Sequence, residues 1–557
     1  MKGFPHPDPR PGGEGDKAPS AGIFTVTVWL WVVLAFITLW RLTVAWAMPA
    51  TQDEAYYFDW ARSLAWGYFD HPPGVALLGV GTLLAPASTL AARLVTLIAA
   101  TLTLVVLVRF YRDCGLKDQR VLLLALVLAF ATLPGLAGGV ITTPDTVLAL
   151  CWAVALHEAL PALRGERRRW LTAGLATGIG LLGKYTMVLI GPVFLWALLW
   201  TDPRALRSPW PYLGGLLAIL AFAPNILWNA DNDWLTMRFQ FGHGFSTETG
   251  ELVASALPAP ITEATASEPE QSPSTPERIG AVLGYLGTQA AFWGLILLPA
   301  VAAVLRRRDR QTLRRDLAAT LDRQAGTLLA AATFFPLLLF GLIAGFSEVE
   351  PNWPGMYLIS AAPLVAIVLE RLWKWALAAA AGNLLLVSLY AFHGATGALP
   401  LPASHERILR ETHGYAELAE KAAELEGIVF ADRYQIAAML RFYQPDLPVT
   451  QWPGITRPSE YLRGSVAEPI TLGDIEQAGG FWLITRNSLP PTLPGFHAHS
   501  GTVLYDCKGM SLKPTKGSGA SEEAPPCDKP LHVWRLYRYR VKKNATRTPH
   551  SAHRRES

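Results

Sequence analysis

The sequence predicts an all-α polytopic membrane protein of about 11 transmembrane helices, followed by a small C-terminal α/β extracytoplasmic domain. Of the 557 residues, 51% are hydrophobic and only 17% are charged, whereas soluble domains carry about 25% charged residues. Long apolar runs of the length that a bilayer requires account for this deficit. The 20 Trp residues agree with the enrichment of Trp at membrane interfaces. A net charge of +4, without a basic groove rich in aromatic residues, predicts no nucleic-acid partner.

The first 22 residues are rich in Pro, Gly and charge and predict a disordered cytoplasmic tail over 1–22. The apolar run that follows is too long for the hydrophobic region of a signal peptide and has no small-residue cleavage site close behind it, so we expect a retained first span. A transmembrane domain is predicted over 23–394. Its expected spans are 23–48, 88–108, 121–141, 144–163, 170–183, 186–201, 210–228, 280–305, 326–346, 354–370 and 375–394.

The distribution of Lys and Arg predicts the orientation, because cytoplasmic loops carry an excess of positive charge. With the N-terminus inside, every predicted inner loop is basic. The predicted outer connections hold only Arg62, Lys184, Arg238 and Arg278. We therefore expect an inner-membrane protein with a cytoplasmic N-terminus and with its functional site and C-terminus in the periplasm. Arg41 and Arg93 lie inside spans near their outer ends, where they could snorkel or face the site.

After the last span, the strand-like runs "GIVFADRY", "FWLITRN", "GTVLYDC" and "HVWRLYRY" and a helical stretch near 415–426 predict a periplasmic α/β domain over 395–540. The basic tail 541–557 is expected to be disordered. Cys507 and Cys527 lie in this part of the chain. An oxidising compartment would permit a disulfide between them, and two free thiols are an equal alternative.

The first predicted outer loop, 49–87, concentrates polar and aromatic residues. It begins with Asp53 and Glu54, continues with Tyr56, Tyr57 and Arg62, and ends with Asp70 and His71 before a Pro pair. The positions of Tyr57, Trp60, Ala61 and Leu64 recur at helical spacing, which predicts a helix lying in the membrane interface.

The other outer segments add further polar residues at the same predicted membrane boundary. These are Asp145 at the start of the fourth span, Lys184 and Tyr185 in a short turn, and Glu350, Asn352 and Trp353 in a later loop. The loop 229–279 is low in complexity and is predicted to be flexible.

Each of these residues also has a purely structural interpretation. Asp53 and Asp145 could be helix caps, and Lys184 could snorkel to the interface. Their convergence on one face favours a site instead, because caps would be distributed over both faces. A carboxylate there can take a proton from an acceptor hydroxyl, and cations can stabilise a departing phosphate.

Five motifs resemble the GT-C superfamily of membrane glycosyltransferases. They are "DEAYYFDWARSLAWGYFDHPPGVALL" (53–78), "TPDTVLAL" (143–150), "GLATGIGLLGKYTMVL" (174–189), "EPNWPGMY" (350–357) and "ADRYQIAAML" (431–440). The chain is similar to the bacterial family of lipid A aminoarabinose transferases and galacturonosyltransferases and, more distantly, to protein O-mannosyltransferases. The similarity covers most of 23–440 and none of 445–557.

The resemblance implies single-displacement transfer of a monosaccharide from a polyprenyl-phosphate donor to lipid A, lipopolysaccharide or another envelope glycan, lipid or protein. It implies that Asp53 is the base, that Glu54 supports it or helps to bind a divalent ion, that Asp145 is a second acidic residue, and that Lys184 meets the donor phosphate. The aminoarabinose enzymes have Lys where this chain has His71, which argues against aminoarabinose as the sugar.

The predicted catalytic residues are thus Asp53, Glu54 and Asp145. The predicted donor-phosphate and substrate-binding residues are Lys184, His71, Tyr56, Tyr57, Arg62, Tyr185, Glu350, Asn352 and Trp353. The sequence identifies no cofactor, and the need for a divalent cation, which Asp53, Glu54 and His71 could bind, stays open. Three alternatives also stay open: a transporter or flippase for a lipid-linked sugar, an oligosaccharide ligase or polymerase, and a non-catalytic relative.

Overall fold

The computed structural model of the chain describes residues 20–245, 257–260, 275–306, 310–402, 405–508, 512–516 and 525–542. Most of the predicted tail 1–22, most of the tail 541–557 and much of the loop 229–279 lie outside these residues. The described beginning of that loop is not an irregular segment, because it forms a helix that starts at Leu235.

Helices dominate the first part of the chain. In order they are α1 Ser20–Ala47, α2 Gln52–Trp60, α3 Gly74–Leu78, α4 Thr89–Ala92, α5 Leu94–Asp113, α6 Gln119–Phe130, α7 Leu133–Ala137, α8 Pro144–Leu163, α9 Arg169–Gly183, α10 Ile190–Thr201, α11 Trp210–Asp231, α12 Leu235–Phe245, α13 Thr275–Phe292, α14 Leu297–Arg306, α15 Arg310–Thr320, α16 Arg323–Ile343, α17 Tyr357–Leu369 and α18 Trp373–Thr396. Short 3-10 helices occur at Val80–Leu83, Tyr185–Leu189, Pro203–Arg207, Gly294–Ile296 and Glu370–Leu372.

Among the described residues, six helices are long and apolar enough to cross a membrane, or seven if α13 and the segment Gly294–Arg306, bent by 97°, form one span. The predicted number of about 11 is therefore not confirmed. One reason is that the predicted spans 354–370 and 375–394 form a nearly continuous helical stretch, Tyr357–Thr396. Another is that the predicted span 121–141 divides at Thr132, whose side chain caps α7 just before Pro134.

The helices of the bundle pack closely where glycines face each other. A Cβ added to Gly174 in α9 would lie 2.7 Å from the Cα of Gly214 in α11, so only glycine permits this approach of the two backbones. Small residues at such contacts are typical of helix packing in membranes, where van der Waals contact replaces the hydrophobic effect as the driving force.

The C-terminal part forms the predicted α/β domain. Its helices are α19 Arg407–Thr412, α20 Tyr415–Ala423, α21 Tyr434–Tyr443 and α22 Leu472–Gln477, with a 3-10 turn at Glu460–Leu462. Its strands are β1 Ile428–Ala431, β2 Val449–Gln451, β3 Phe481–Thr485, β4 Phe496–Asp506, β5 Lys513–Lys516 and β6 His532–Val541.

The six strands form one mixed sheet in the order β2-β1-β3-β6-β4-β5. The pairs of β1 with β2 and with β3 are parallel, and the remaining pairs are antiparallel. The alternating apolar pattern identified β1, β3, β4 and β6 in the sequence. It missed β2, which has three residues, and β5. Cys507 and Cys527 form a disulfide, which decides between the two predicted alternatives.

The C-terminal domain packs directly on α2. The rings of Tyr56 and Tyr434 lie 4.6 Å apart between centroids, and those of Phe58 and Phe442 lie 5.8 Å apart. Residues from Glu54 to Trp60 are all buried. The predicted helix is therefore present. Because α21 packs over it, it has no free face with which to lie in the membrane interface. It also ends at Trp60, so Leu64 lies outside the helix.

Candidate active site

Helix α2 presents the first acidic residue of the candidate site. Asp53 is exposed, and its Oδ1 accepts a hydrogen bond of 3.1 Å from the hydroxyl of Tyr434 in the C-terminal domain. The pKa of Asp53 is raised above its ordinary value, chiefly because surrounding protein atoms displace water, while the Tyr434 hydrogen bond opposes the rise. A carboxylate with an open side and a raised pKa is a stronger base than an ordinary surface aspartate.

Glu54, the next residue, has a different environment. Its carboxylate is fully buried and forms an ion pair with Arg93 at 2.6 Å. It also completes the capping box of α2 through the backbone N–H of Thr51 at 3.1 Å and accepts from the backbone N–H of Thr142 at 2.9 Å. Both carboxylate oxygens are thus occupied. We therefore infer a structural role for Glu54, while its catalytic or metal-binding role stays an untested prediction.

Two other predicted substrate contacts belong to the junction with the C-terminal domain. The Tyr56 hydroxyl accepts from the backbone N–H of Glu460 at 2.7 Å, and its ring is buried. Arg62 pairs with Asp59 at 3.3 Å, and Asp59 also pairs with Arg441 at 2.6 Å. These contacts fasten α2 to the domain, so we infer that Tyr56 and Arg62 support the site without touching substrate.

Arg457 of the C-terminal domain reaches the end of the first outer loop. Its guanidinium pairs with Asp70 at 2.7 Å and lies 4.3 Å above the ring centroid of Tyr434, which is a cation–π contact. Its positive charge also lowers the pKa of both Asp53 and His71. Arg457 therefore connects Tyr434, the hydrogen-bond partner of Asp53, with Asp70 in the loop before the Pro pair.

His71 is a neutral imidazole at physiological pH. Burial, followed by the charges of Lys184 and Arg457, lowers its pKa to about 3. The side-chain amide of Gln240 donates to the carbonyl of Asp70 and lies 3.3 Å from Nδ1 of His71. With Gln240 as donor, Nδ1 is the acceptor and Nε2 carries the proton. The predicted phosphate contact of His71 can thus be a hydrogen bond but not an ion pair.

A second cluster joins three segments that are far apart in sequence. Lys184 donates to Oδ1 of Asp145 at 2.8 Å, and Asn352 donates to Oδ2 of the same carboxylate at 2.8 Å. Lys184 stands between α9 and a 3-10 helix, and it has extended backbone angles of φ −157° and ψ 135° that carry its side chain off the helix. The structure thus brings together three residues that were predicted separately.

The remaining predicted residues are close in sequence to members of this cluster. Tyr185 donates to Asn225 at 3.0 Å and accepts from Asn229 at 3.3 Å, so its hydroxyl fastens the turn to α11. Trp353 packs on Phe340 with ring centroids 5.8 Å apart. Glu350 is exposed.

The two clusters adjoin through a close backbone contact. A Cβ on Gly74, which follows the Pro pair, would lie 2.8 Å from the Cα of Gly183, the residue before Lys184. The ring of Tyr57 lies 5.8 Å from that of His71 in an edge arrangement. His71 therefore lies between the Asp53 side and the Lys184 side of the candidate site.

The chain's described residues contain no group of three or more His, Cys, Asp or Glu side chains that could hold a metal ion. Glu54 faces Arg93, away from the open side of Asp53. The predicted divalent set of Asp53, Glu54 and His71 is thus not assembled among the described residues.

Sequence reasoning missed Tyr434 and Arg457 as members of the site. Tyr434 lies in the motif at 431–440, which was recognised without a role being given to it. Arg457 lies in the part of the chain without resemblance, and Asp70 was noted without being selected. Only the docking of the C-terminal domain reveals these contacts.

The chain is similar to several known proteins. Residues 70–228 match the family described as dolichyl-phosphate-mannose-protein mannosyltransferase. Over 218 residues the chain is 29% identical to the lipid A galacturonosyltransferase RgtD of Rhizobium johnstonii, a match that covers 38% of this chain and 45% of RgtD. The match thus spans less than half the length of this relative.

The structure is similar to two crystal structures of ArnT from Cupriavidus metallidurans. The apo state aligns with a TM-score of 0.57 at 14% identity, covering 92% of this chain and 98% of ArnT. The state bound to undecaprenyl phosphate aligns with a TM-score of 0.56 at 14% identity, covering 93% and 98%. At this identity the likeness establishes the fold, and it is the fold that the sequence motifs predicted.

Proposed function

We propose that this chain, a membrane glycosyltransferase of the GT-C superfamily by fold and resemblance, moves a monosaccharide from a polyprenyl-phosphate donor to lipid A or a related envelope lipid. The observation that carries the proposal is the pairing of an open carboxylate, Asp53, with a cationic and hydrogen-bonding surface around Lys184 on the same side of the bundle. The reaction would be a single displacement at the sugar's anomeric carbon on the periplasmic face.

Asp53 acts as the base in this proposal. Its carboxylate takes the proton of the acceptor hydroxyl while that oxygen forms the new bond to the anomeric carbon. The Tyr434 hydroxyl at 3.1 Å orients the carboxylate. Because the pKa of Asp53 is raised, proton transfer to it is more favourable than to an ordinary aspartate.

Lys184 and His71 receive the leaving group in this proposal. As the bond from the anomeric carbon to the phosphate oxygen breaks, negative charge grows on the phosphate. Lys184 uses one N–H for Asp145 at 2.8 Å and keeps further donors for this charge. The neutral His71 supplies a hydrogen bond from Nε2. Asp145 and Asn352 hold the ammonium in position.

The substrate classes are supported by the named relatives. RgtD is described as acting on lipid A, and an ArnT structure contains undecaprenyl phosphate. The periplasmic location is supported by the disulfide between Cys507 and Cys527, which oxidising compartments favour. It is further supported by the basic loops at the opposite ends of the helices.

The test is turnover of radiolabelled polyprenyl-phosphate sugars by purified protein in lipid, with envelope lipid as acceptor. Wild type is compared with Asp53→Asn and with Asp446→Asn, a matched change of an exposed carboxylate in the C-terminal domain. We expect Asp53→Asn to bind donor and to lose transfer by about 10²-fold or more. Asp446→Asn is expected to match wild type.

The pH dependence adds a second readout. Because Asp53 must be deprotonated to act, transfer should rise as pH increases through its raised pKa and then level off. Full activity of Asp53→Asn would refute the assignment of the base. If no donor turns over but labelled lipid crosses the bilayer of reconstituted vesicles, the protein is a transporter instead of a transferase.

A further inference from the structure

A cavity of about 290 Å³ in the helix bundle is lined in part by Asp145 and Asn352. This volume is at the lower end of the ~300–1000 Å³ range of small-molecule pockets. Most of its wall is apolar and comes from α5, α6, α7, α8 and the start of α17. Representative wall residues are Leu104, Leu107, Leu148, Met356 and Ile359. Such a wall suits a hydrocarbon chain rather than a free sugar.

One charged side chain lies in this wall without a counter-charge. Arg41 of α1 is 4% exposed. Its Nε and Nη1 atoms are buried, and neither has a hydrogen-bond partner among the residues that the structure describes. Asp145, which also lines the cavity, is already paired with Lys184 and Asn352. An unpaired cation inside a membrane domain is costly, and such residues usually mark a functional position.

The local backbone makes room for this guanidinium. A Cβ on Gly139, which also lines the cavity, would lie 2.6 Å from Cζ of Arg41. The side chain therefore occupies a place that only glycine leaves open. A larger residue at position 139 would displace the guanidinium without removing its charge.

From this geometry we infer that the cavity is a second lipid-binding site, in which Arg41 binds the phosphate group of a lipid whose chain lies along the apolar wall. A guanidinium matches phosphate with two parallel hydrogen bonds, and the buried N–H groups of Arg41 are free to make them. The phosphate comes either from a polyprenyl phosphate that is held apart from Lys184 and His71 or from a phosphorylated acceptor lipid. The inference deepens the proposed function and rests on it for these two sources.

The test measures lipid binding by full-length protein in nanodiscs. One arm compares polyprenyl monophosphate with uncharged polyprenol of the same length, and the other compares lipid A with dephosphorylated lipid A. The variants are Arg41→Met, Arg41→Lys and Gly139→Ala. The control is Arg315→Met, which removes an exposed arginine from α15.

We expect Arg41→Met to weaken binding of one phosphorylated lipid by about tenfold or more, since a charge-assisted pair is lost. Binding of the uncharged counterpart should not change. Gly139→Ala should weaken binding of the same lipid. Arg41→Lys should lose less binding affinity than Arg41→Met. The affected arm identifies donor or acceptor. The melting temperature of Arg41→Met should not fall, because an unsatisfied buried charge has been removed.

Equal binding of both phosphorylated lipids by wild type, Arg41→Met and Gly139→Ala would overturn the inference. If Arg41→Met does not fold, the lipid binding measured for Gly139→Ala alone tests the inference. The result is separable from the proposed function, because binding needs no turnover. Arg41-dependent binding without sugar transfer would refute only the proposed function, whereas transfer with Arg41-independent binding would refute only this site.

Discussion

Replacing Glu54 by Gln tests the distinction between the two neighbouring carboxylates on α2. The Glu54 carboxylate accepts five hydrogen bonds. They come from Arg93 at 2.6 and 2.8 Å, from the backbone N–H and hydroxyl of Thr51 at 3.1 and 3.2 Å, and from the backbone N–H of Thr142 at 2.9 Å. A glutamine retains one acceptor oxygen, and its NH₂ group must face donors at the other position.

The magnitude follows from burial of the pair. Both side chains of the Glu54–Arg93 pair are fully buried, so the substitution leaves the Arg93 charge without compensation. Breaking a buried pair from one side costs about 3–5 kcal/mol. We therefore expect Glu54→Gln to lower the free energy of unfolding by that amount, a large part of the ~5–15 kcal/mol typical of a folded protein.

The assay is equilibrium unfolding in mixed micelles at increasing SDS fraction, followed by Trp fluorescence. Glu350→Gln, in an exposed loop, is the control and should change the free energy of unfolding by less than about 0.5 kcal/mol. In a double-mutant cycle with Arg93→Met, the combined loss should fall short of the sum by about 1 kcal/mol or more. If Glu54→Gln unfolds like wild type yet loses sugar transfer, Glu54 is catalytic and the structural assignment is wrong.

Three further predictions concern other parts of the molecule. Lys184→Met should lower sugar transfer by about 10²-fold or more by removing the cation that stabilises the leaving phosphate, and a variant with wild-type turnover would contradict this. In the C-terminal domain, burial and then Glu417 raise the pKa of Asp506 from 3.8 to about 6. Its contribution to stability is therefore lost as pH rises from about 4 through 6. Asp506→Asn should flatten this dependence and stabilise the domain at pH 8 by up to ~3 kcal/mol, as measured by denaturant unfolding over pH; a parallel pH profile would exclude Asp506 as the cause. Cys507→Ser should cost about 3 kcal/mol in the same measurement, since the disulfide to Cys527 closes a loop with a sequence separation of 20 residues, and no loss would mean that the thiols are free in solution.

Much of the architecture was predictable from local patterns. The fourth span at 144–163 coincides with α8, because a Pro at its first position and a long apolar run mark such a helix clearly. Strands β1, β3 and β6 followed from alternating apolar residues. The predicted number of spans is not confirmed, since α17 and α18 join almost without a break and α13 meets the next segment at 97°.

The residues of the candidate site were likewise predictable only in part. Asp53, Asp145, Lys184 and His71 could be selected from residue type and position, because charged groups at helix ends are conspicuous in an apolar sequence. Their partners were not selectable, because Tyr434 lies more than 380 residues from Asp53 in sequence. A contact over such a separation depends on how the C-terminal domain docks.

The difference between Asp53 and Glu54 shows most clearly what sequence alone cannot predict. The residues themselves identify a membrane-embedded chain with acids, a lysine and a histidine at one boundary, because composition and spacing depend only on local sequence. They cannot tell which of two adjacent carboxylates is free. Successive helical residues point about 100° apart, so the Glu54 carboxylate faces Arg93 and the Asp53 carboxylate faces Tyr434. That choice was made by the contact of Arg93, the residue before α5, with one side of α2 and by the packing of the C-terminal domain on the other.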